Sequence, residues 1–263
     1  MCIRDRVHEL VYRLKAEWPR WGTRRIAGQL AHLGVQASRS SVQRILRRGP
    51  RGPTEPDKSA TGPKARTLLA KYPDHVWMID FTRIGGLVRP LWIGAIIDAF
   101  SRKVLAIGAV RGAPSSALAV RLLRKAIRRN GTPRWFVSDK DPVLRGGLVQ
   151  RLLTRHGIRR RYGAVGKSGS IAIIERLWRS MKSEYVRQLF LYRSVKAIET
   201  RLRRYQVWFN AERAHQGLRQ RTPDDVYVDR PAKATSDITG GTLHVRFLDG
   251  DRRLPVLRLH RAA

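Results

Sequence analysis

The stretch from His75 to Thr82, HVWMIDFT, is an apolar, strand-like run that carries one acidic residue, Asp80. Two more apolar runs follow it, LWIGAIID at residues 91–98 and VLAIGAV at residues 104–110. Short runs rich in β-branched and aromatic residues, bounded by glycine or polar turns, are typical of strands. The turns Gly85-Gly86 and Phe100 to Arg102 are short, so the three runs predict an antiparallel meander.

Helices and strands alternate after the meander. Pro114 opens a predicted helix that ends near Arg129, because Leu118, Leu122 and Ile127 fall on one face. The later predicted elements are a strand at 134–138, a helix at 148–156, a strand at 158–162, and helices at 171–189 and 195–210. The order βββαβαβ predicts the α/β class, with a five-stranded mixed sheet flanked by helices.

The N-terminal region reads as two short helices separated by a turn that contains Gly34. Ser38 is a predicted N-cap of the second helix. This pattern predicts a helix-turn-helix, whose second helix has Arg39, Gln43 and Arg44 on its exposed side, where they reach base edges. The alternative is an ordinary helical hairpin with a basic surface.

Composition divides the chain into four parts. We predict a helix-turn-helix region at 1–48, a linker rich in proline and glycine at 49–66, a catalytic core at 67–228 and a tail at 229–263. The tail contains LHVRFL and LPVLRL, which predict a small β module. The opening MCIRDR is unlike the start of a domain, and we expect the natural N-terminus to lie further upstream.

The charge of the chain is extreme. There are 54 Lys and Arg residues against 20 Asp and Glu, which gives a net charge of +34. Such an excess predicts a polyanionic partner, and nucleic acid is the obvious one. The alternative is a solvated basic surface in an organism in which arginine is common. The single cysteine, Cys2, excludes an internal disulfide and a Cys/His zinc cluster, and fits a reducing cytoplasm. No apolar run is long enough for a membrane span.

Three acidic residues form the candidate site. Asp80 ends one apolar segment and Asp139 ends another, RWFVSDKD, so the two are expected side by side on neighbouring strands. A carboxylate there is costly unless water, a donor or a metal compensates it. Glu175 lies early on a helix, and Arg179 and Lys182 share its face at i+4 and i+7.

Hard oxygen ligands suit Mg²⁺, and two such ions clamp both oxygens of an in-line phosphodiester displacement. Asp80 is the expected bridging ligand, Asp139 completes one metal shell and Glu175 the other. Taken singly, each acid is more often a turn or cap residue. We further expect Lys167, Ser168, Arg179 and Lys182 to contact DNA, although a solvated helix face or a mobile loop also explains them. The tryptophans, including Trp178, are interpreted as core residues.

Several segments together resemble one family, the insertion-sequence transposases and retroviral integrases that share a DDE integrase core. Thirty-five residues separate Asp139 from Glu175, and Lys182 follows Glu175 by seven, as in that family. The matching segments are WGTRRIAGQLAHLG at 21–34, WMIDFT at 77–82, IIDAFSRKVLA at 96–106, VSDKDP at 137–142, GSIAIIERLWRSMKSEY at 169–185 and NAERAHQGLRQRTPDDVY at 210–227.

The resemblance implies a ribonuclease H-like fold, two Mg²⁺ or Mn²⁺ ions, cleavage at element ends and strand transfer into target DNA. It also implies a homo-multimer assembled on DNA and a cytoplasmic, nucleoid-associated bacterial protein. One position departs from the pattern, because Asp141 stands where the family usually has glycine. The alternatives are a catalytically inactive DNA-binding relative and a plain ribonuclease H-type nuclease; the intact acidic triad and the N-terminal region argue against them.

Overall fold

The computed structural model of the chain describes residues 3–47, 69–84, 90–163, 172–185, 194–231 and 242–260. The chain forms two compact units, Gly62–Asn210 and a second unit that combines Met1–Thr61 with Ala211–Ala263. The predicted linker at 49–66 and the Gly85-Gly86 turn lie outside the described residues. The candidate acidic residues all belong to the first unit.

A five-stranded mixed sheet organises the first unit. Its strands are β1 (Val76–Ile84), β2 (Leu91–Asp98), β3 (Val104–Arg111), β4 (Trp135–Ser138) and β5 (Arg159–Tyr162). The order across the sheet is β3-β2-β1-β4-β5, so β1 is the central strand. β1 pairs antiparallel with β2 and parallel with β4. This confirms the predicted meander, the mixed sheet and the α/β class.

Helices pack on a sheet whose inner strands are almost wholly apolar. Every residue of β2 except Trp92 is buried, as expected for a strand covered on both faces. The helices of this unit are α4 (Ser116–Asn130), α5 (Pro142–Arg145), α6 (Gly147–Arg155), α7 (Ala172–Glu184) and α8 (Val195–Ala211, whose last residue falls in the other unit).

One helix begins later than the sequence predicted, and another helix was not predicted at all. α4 begins at Ser116 rather than at Pro114, because the Ser115 hydroxyl accepts the amide of Leu118 and acts as the N-cap. The one-turn helix α5 was not predicted. Its signal was the pair Asp141-Pro142, since the Asp141 carboxylate accepts the Val143 amide at 2.7 Å and Pro142 occupies the first turn.

α8 satisfies the backbone of the edge strand β3. Asn210 accepts the Val104 amide at 2.9 Å, and the Gln206 amide group donates to the Val104 carbonyl at 2.7 Å. Further along the strand, Glu199 accepts the Ala109 amide at 3.2 Å. An open strand edge invites pairing with other chains, and these contacts occupy part of it. They also anchor α8 firmly to the sheet.

The second unit joins the two ends of the chain. Its described elements are α1 (Ile3–Glu17), α2 (Thr23–His32), α3 (Arg39–Arg47), a 3-10 turn (Gln216–Leu218), α9 (Pro223–Tyr227), β6 (Thr242–Phe247) and β7 (Pro255–His260). β6 and β7 form an antiparallel hairpin, where the sequence predicted a small β module. Ser38 caps α3 as predicted, since its hydroxyl accepts the Ser41 amide at 3.0 Å.

The hairpin and the N-terminal helices share one hydrophobic core. Leu243 of β6 and Leu257 of β7 are buried in the same cluster as Leu14, Ile26 and Leu30. The sequence-derived boundaries followed chain order, whereas this packing joins segments that are remote in sequence. The helices of residues 3–47 therefore depend on residues near the C-terminus for part of their stability.

We predict that Leu257→Ala destabilises α1 to α3 as well as the hairpin. Leu257 is 1% exposed, and removal of such a side chain costs about 2–5 kcal/mol. Hydrogen exchange followed by mass spectrometry should show faster exchange in peptides from residues 3–47. Val228→Ala is the control, because Val228 lies in the same unit and is 59% exposed. Unchanged exchange in the N-terminal helices would contradict a shared core.

Candidate active site

Asp80 lies in the middle of the central strand, not at its end as the sequence suggested. β1 continues to Ile84, and Asp80 itself pairs with Ala95 of β2. The ladder with β4 is shorter and ends at Met78 opposite Val137. Asp80 therefore lies just past the end of the β4 ladder, where its carboxylate is half-buried.

Asp139 directly follows β4. The parallel register pairs Val76 with Trp135 and Met78 with Val137. Continued by two residues, the same register puts Asp139 level with Asp80. Level residues on neighbouring strands point to the same face, about 4.8 Å apart along the hydrogen-bonding direction. The prediction that two acidic residues lie side by side on adjacent strands agrees with this register.

Glu175 approaches the same region from α7. Ile174, Leu177, Trp178 and Met181 form the buried stripe of this helix, whereas Glu175, Arg179 and Lys182 are exposed. The spacing of the exposed residues confirms the predicted common face. The Glu175 carboxyl group is close enough to Asp80 to raise the pKa of that residue.

The folded chain disfavours the ionised form of the Asp80 carboxyl group. Its pKa is raised from 3.8 to about 6, chiefly by burial, with smaller contributions from Asp139 and Glu175. Two hydrogen bonds oppose the rise. The Trp178 indole donates to Oδ2 at 2.7 Å, and the Phe81 amide donates to Oδ1 at 2.8 Å. A divalent cation would replace the repulsion among the three carboxylates by attraction.

The donor chemistry fits a divalent metal, but the three side chains are not assembled around one. Within the described part of the chain, no group of three or more His, Cys, Asp or Glu side chains is close enough to hold a metal ion. The exposed Glu175 has three side-chain torsions, so it is the member that can turn inward at small cost. The extended register of β1 and β4 brings the backbones of Asp80 and Asp139 level.

Two other aspartates have structural roles. Asp141, the residue most easily mistaken for a ligand, caps α5 as described above. Its φ of −55° lies in an ordinary region, so the glycine usual in the family is not required by this backbone. Asp98 is fully buried and accepts the amides of Asp74 and Ser101 and the Ser101 hydroxyl. Asp98 thus stabilises the turn between β2 and β3.

Trp178 is the residue whose role the sequence did not reveal. It is 6% exposed, as the core prediction requires, yet its indole N–H reaches the candidate ligand Asp80. The available signal was its position three residues after Glu175, on the turn of α7 that follows this acidic residue. The spacing of the tryptophans along the chain, taken alone, indicates only that they pack in the core.

The predicted DNA-binding residues have different degrees of exposure. Arg39 and Arg44 on α3, and Arg179 and Lys182 on α7, are exposed, whereas Gln43 is half-buried. Lys167 and Ser168 lie outside the described residues. No helix within the described ranges is long and apolar enough to cross a membrane.

Comparison with known families agrees with this geometry. Two family models, both described as integrase core domain, match residues 70–168 and 156–223. The chain belongs to the integrase core family. The matched residues include all three acidic positions of the candidate site. A core of this family implies use of a divalent metal ion and action on DNA.

Curated relatives are named as transposases of insertion sequences, and a solved structure shares the fold. The chain is 23% identical over 236 residues to a protein named as a transposase, InsK, for insertion sequence element IS150 of Escherichia coli, which covers 84% of this chain and 81% of that protein. It is 24% identical to one named as a transposase for IS986/IS6110 of Mycobacterium tuberculosis, covering 74% and 77%. The simian T-cell lymphotropic virus intasome shares the fold, with a TM-score of 0.50, 16% identity and coverage of 89% and 81%.

We predict that, with no divalent metal added, the wild type loses stability relative to Asp80→Asn as the pH rises from 4 to 8; the loss of one acceptor oxygen in the variant adds a cost that does not depend on pH. The folded state raises the pKa of Asp80 to about 6, so stability that is present below pH 3.8 is lost as the pH rises through 6. The variant lacks this loss, and each kcal/mol recovered raises Tm by about 2–4 °C. Thermal unfolding in EDTA from pH 4 to 8 measures the difference in Tm between the variant and the wild type, which should shift in favour of the variant as the pH rises.

Adding a divalent metal ion provides a second test of the role of Asp80. Mn²⁺ at pH 8 should raise the Tm of the wild type more than that of Asp80→Asn. Asp141→Asn is the control, because asparagine keeps the helix cap and the control should follow the wild type. A difference in Tm between the variant and the wild type that stays constant from pH 4 to pH 8 would contradict the electrostatic strain ascribed to Asp80.

Proposed function

We propose that this chain is the transposase of an insertion sequence, which cuts DNA at the ends of the element and joins them to target DNA. Asp80, Asp139 and Glu175 are proposed as the catalytic and metal-binding residues. The observation that supports the proposal is the parallel register of β1 and β4, which would bring Asp80 and Asp139 level if it is extended two residues beyond Met78 and Val137. Membership of the integrase core family supplies the reaction class.

The three carboxylates would hold two divalent ions, Mg²⁺ or Mn²⁺. Divalent ions held there would supply activation of the attacking water or 3′-hydroxyl and stabilisation of the leaving oxygen. Asp80, the central residue, is suited to bridge both ions, Asp139 to complete one ligand shell and Glu175 the other. The sheet fixes two of these groups before substrate arrives, which limits the reorganisation left to Glu175.

The chain's own cations are suited to the DNA backbone. Arg179 and Lys182 lie on the exposed face of α7 that also carries Glu175, so phosphates bound there lie beside the carboxylates. Arg39, Gln43 and Arg44 on α3 are proposed to contact the element ends. We also expect the chain to assemble as a homo-multimer on DNA and to reside with the nucleoid.

Substitution of each acid separates catalysis from binding. Asp80→Asn, Asp139→Asn and Glu175→Gln should each reduce Mg²⁺-dependent cleavage of end-labelled duplexes, made from the DNA that flanks the gene, to background. Salt-sensitive binding of the same duplexes should remain, because the positive surface is unchanged. Asp141→Asn serves as the matched control, since it removes a neighbouring acid but keeps the α5 cap.

The outcomes distinguish the proposed residues and the alternative function. A variant that still cleaves at the wild-type rate would remove that residue from the site. Loss of cleavage in Asp141→Asn but not in Asp139→Asn would move the second ligand by two positions. A wild type that binds DNA but never cleaves with Mg²⁺ or Mn²⁺ would favour the inactive DNA-binding relative.

The basic face of α7 gives a separate prediction. Arg179→Ala and Lys182→Ala should each weaken binding of a short fluorescent duplex and reduce the slope of log K against log [salt] by about 1, as expected for loss of one phosphate contact. Arg128→Ala removes the same charge from an exposed position on α4 and is the control. Equal slopes for Lys182→Ala and the control would argue that α7 does not contact phosphates.

A further inference from the structure

We propose that Trp178 is a positioning residue for the metal-binding carboxylates. Its indole orients Asp80 and holds the helix that carries Glu175 against the central strand. This inference rests on the proposed function, because it assigns Trp178 a role toward the same acidic site. Trp178 does not touch the reacting atoms, so it acts only through Asp80 and Glu175.

The hydrogen bonds of Asp80 fix its carboxylate plane. Oδ2 accepts the Trp178 indole N–H at 2.7 Å, and Oδ1 accepts the Phe81 amide at 2.8 Å. Each oxygen thus has one protein donor and keeps capacity for another partner. Outer hydrogen bonds of this kind orient metal-binding carboxylates and tune their affinity. The Phe81 bond is local to β1, whereas the Trp178 bond spans two elements.

Packing fixes the indole itself. Trp178 is 6% exposed within the buried stripe of α7, where its ring has little freedom to turn. A buried indole N–H that lacks an acceptor is costly, so the bond to Asp80 also satisfies the tryptophan. Burial and hydrogen bonding therefore select the same orientation, and the donor remains aimed at Oδ2.

The position of Trp178 in α7 couples two of the three acids. Glu175 precedes it by three residues, about one helical turn. A bond that ties Trp178 to Asp80 therefore also limits how far the Glu175 backbone can move from Asp80. The sheet positions Asp80 relative to Asp139, and the Trp178 indole positions Glu175 relative to Asp80.

A second tryptophan provides a matched control within the same unit. The Trp77 indole donates to Asp74 Oδ1, also at 2.7 Å, and Trp77 is fully buried. Asp74 is not part of the candidate site. Trp77→Phe, on β1, and Trp178→Phe, on α7, therefore remove the same kind of hydrogen bond from similar depths, and a different aspartate loses its donor in each.

The test compares metal binding by the two variants in the full-length chain. Trp178→Phe should weaken Mn²⁺ binding, measured by the electron paramagnetic resonance signal of free Mn²⁺, by about 10–100-fold. Trp77→Phe should bind Mn²⁺ as the wild type does. In cleavage assays, Trp178→Phe should need a higher Mn²⁺ concentration for half-maximal rate and recover as Mn²⁺ is raised, whereas Asp80→Asn should not recover.

A measurement on the wild type covers the case in which Trp178→Phe fails to fold. In protein labelled with ¹⁵N-tryptophan, Mg²⁺ should shift the indole N–H resonance of Trp178 and leave that of Trp77 in place. Resonances are assigned by loss of one signal in each Phe variant, or in Trp178→Tyr where the Phe variant is unfolded. A Trp178 resonance that does not respond to saturating Mg²⁺ overturns the inference.

The remaining outcomes separate this inference from the proposed function. Wild-type Mn²⁺ affinity in folded Trp178→Phe, or an equal loss in Trp77→Phe, overturns the role of Trp178 and leaves the transposase assignment intact. A wild-type chain that neither binds Mn²⁺ nor cleaves DNA overturns both. Selective loss in Trp178→Phe, with wild-type behaviour in Trp77→Phe, supports the positioning role.

Discussion

A partly buried negative charge at the centre of the sheet is the feature on which the rest of the site depends. Asp80 occupies the central strand, where the four residues that precede it, Val76 to Ile79, are apolar and buried. Burial and two nearby carboxyl groups raise its pKa to about 6, so the metal-free site is held at an electrostatic cost. Such strain persists only where the surrounding structure is firm enough to impose it. Here the parallel register with β4 and the packing of α7 provide that firmness.

The supports of this charge come from three different levels of structure. The β1–β4 ladder ends at Met78 and Val137, and its continuation by two residues brings the backbones of Asp80 and Asp139 level. The indole of Trp178 supplies a side-chain bond between α7 and β1. Away from the site, Gln206 and Asn210 join α8 to the edge strand β3 and occupy backbone groups that would otherwise be exposed there. These contacts thus stabilise the sheet at its centre and at one edge.

Local sequence patterns predicted the strands and helices well, but they did not predict the long-range packing. The apolar runs of β1 to β3 are continuous enough to identify strands, and the residue spacing on α7 identified the exposed face with Glu175, Arg179 and Lys182. Two features could not be predicted from the sequence. No local sequence pattern predicts that Leu243 and Leu257 pack with Ile26, because such contacts depend on the tertiary fold. Trp178 looks like any core tryptophan until its donor is seen to meet Asp80.

The departure from the family pattern at Asp141 has a physical explanation that the sequence did not supply. Glycine is demanded where φ is positive, and here φ is −55°, so an ordinary side chain fits. Asp141 uses that freedom to cap α5, whose first turn contains Pro142. The Asp141 amide in turn donates to Asp139 Oδ1 at 3.1 Å, so the loop restrains the candidate ligand as well. The substitution therefore replaces backbone freedom with a fixed turn directly after the second acid, which is compatible with a site that needs Asp139 held in register with Asp80.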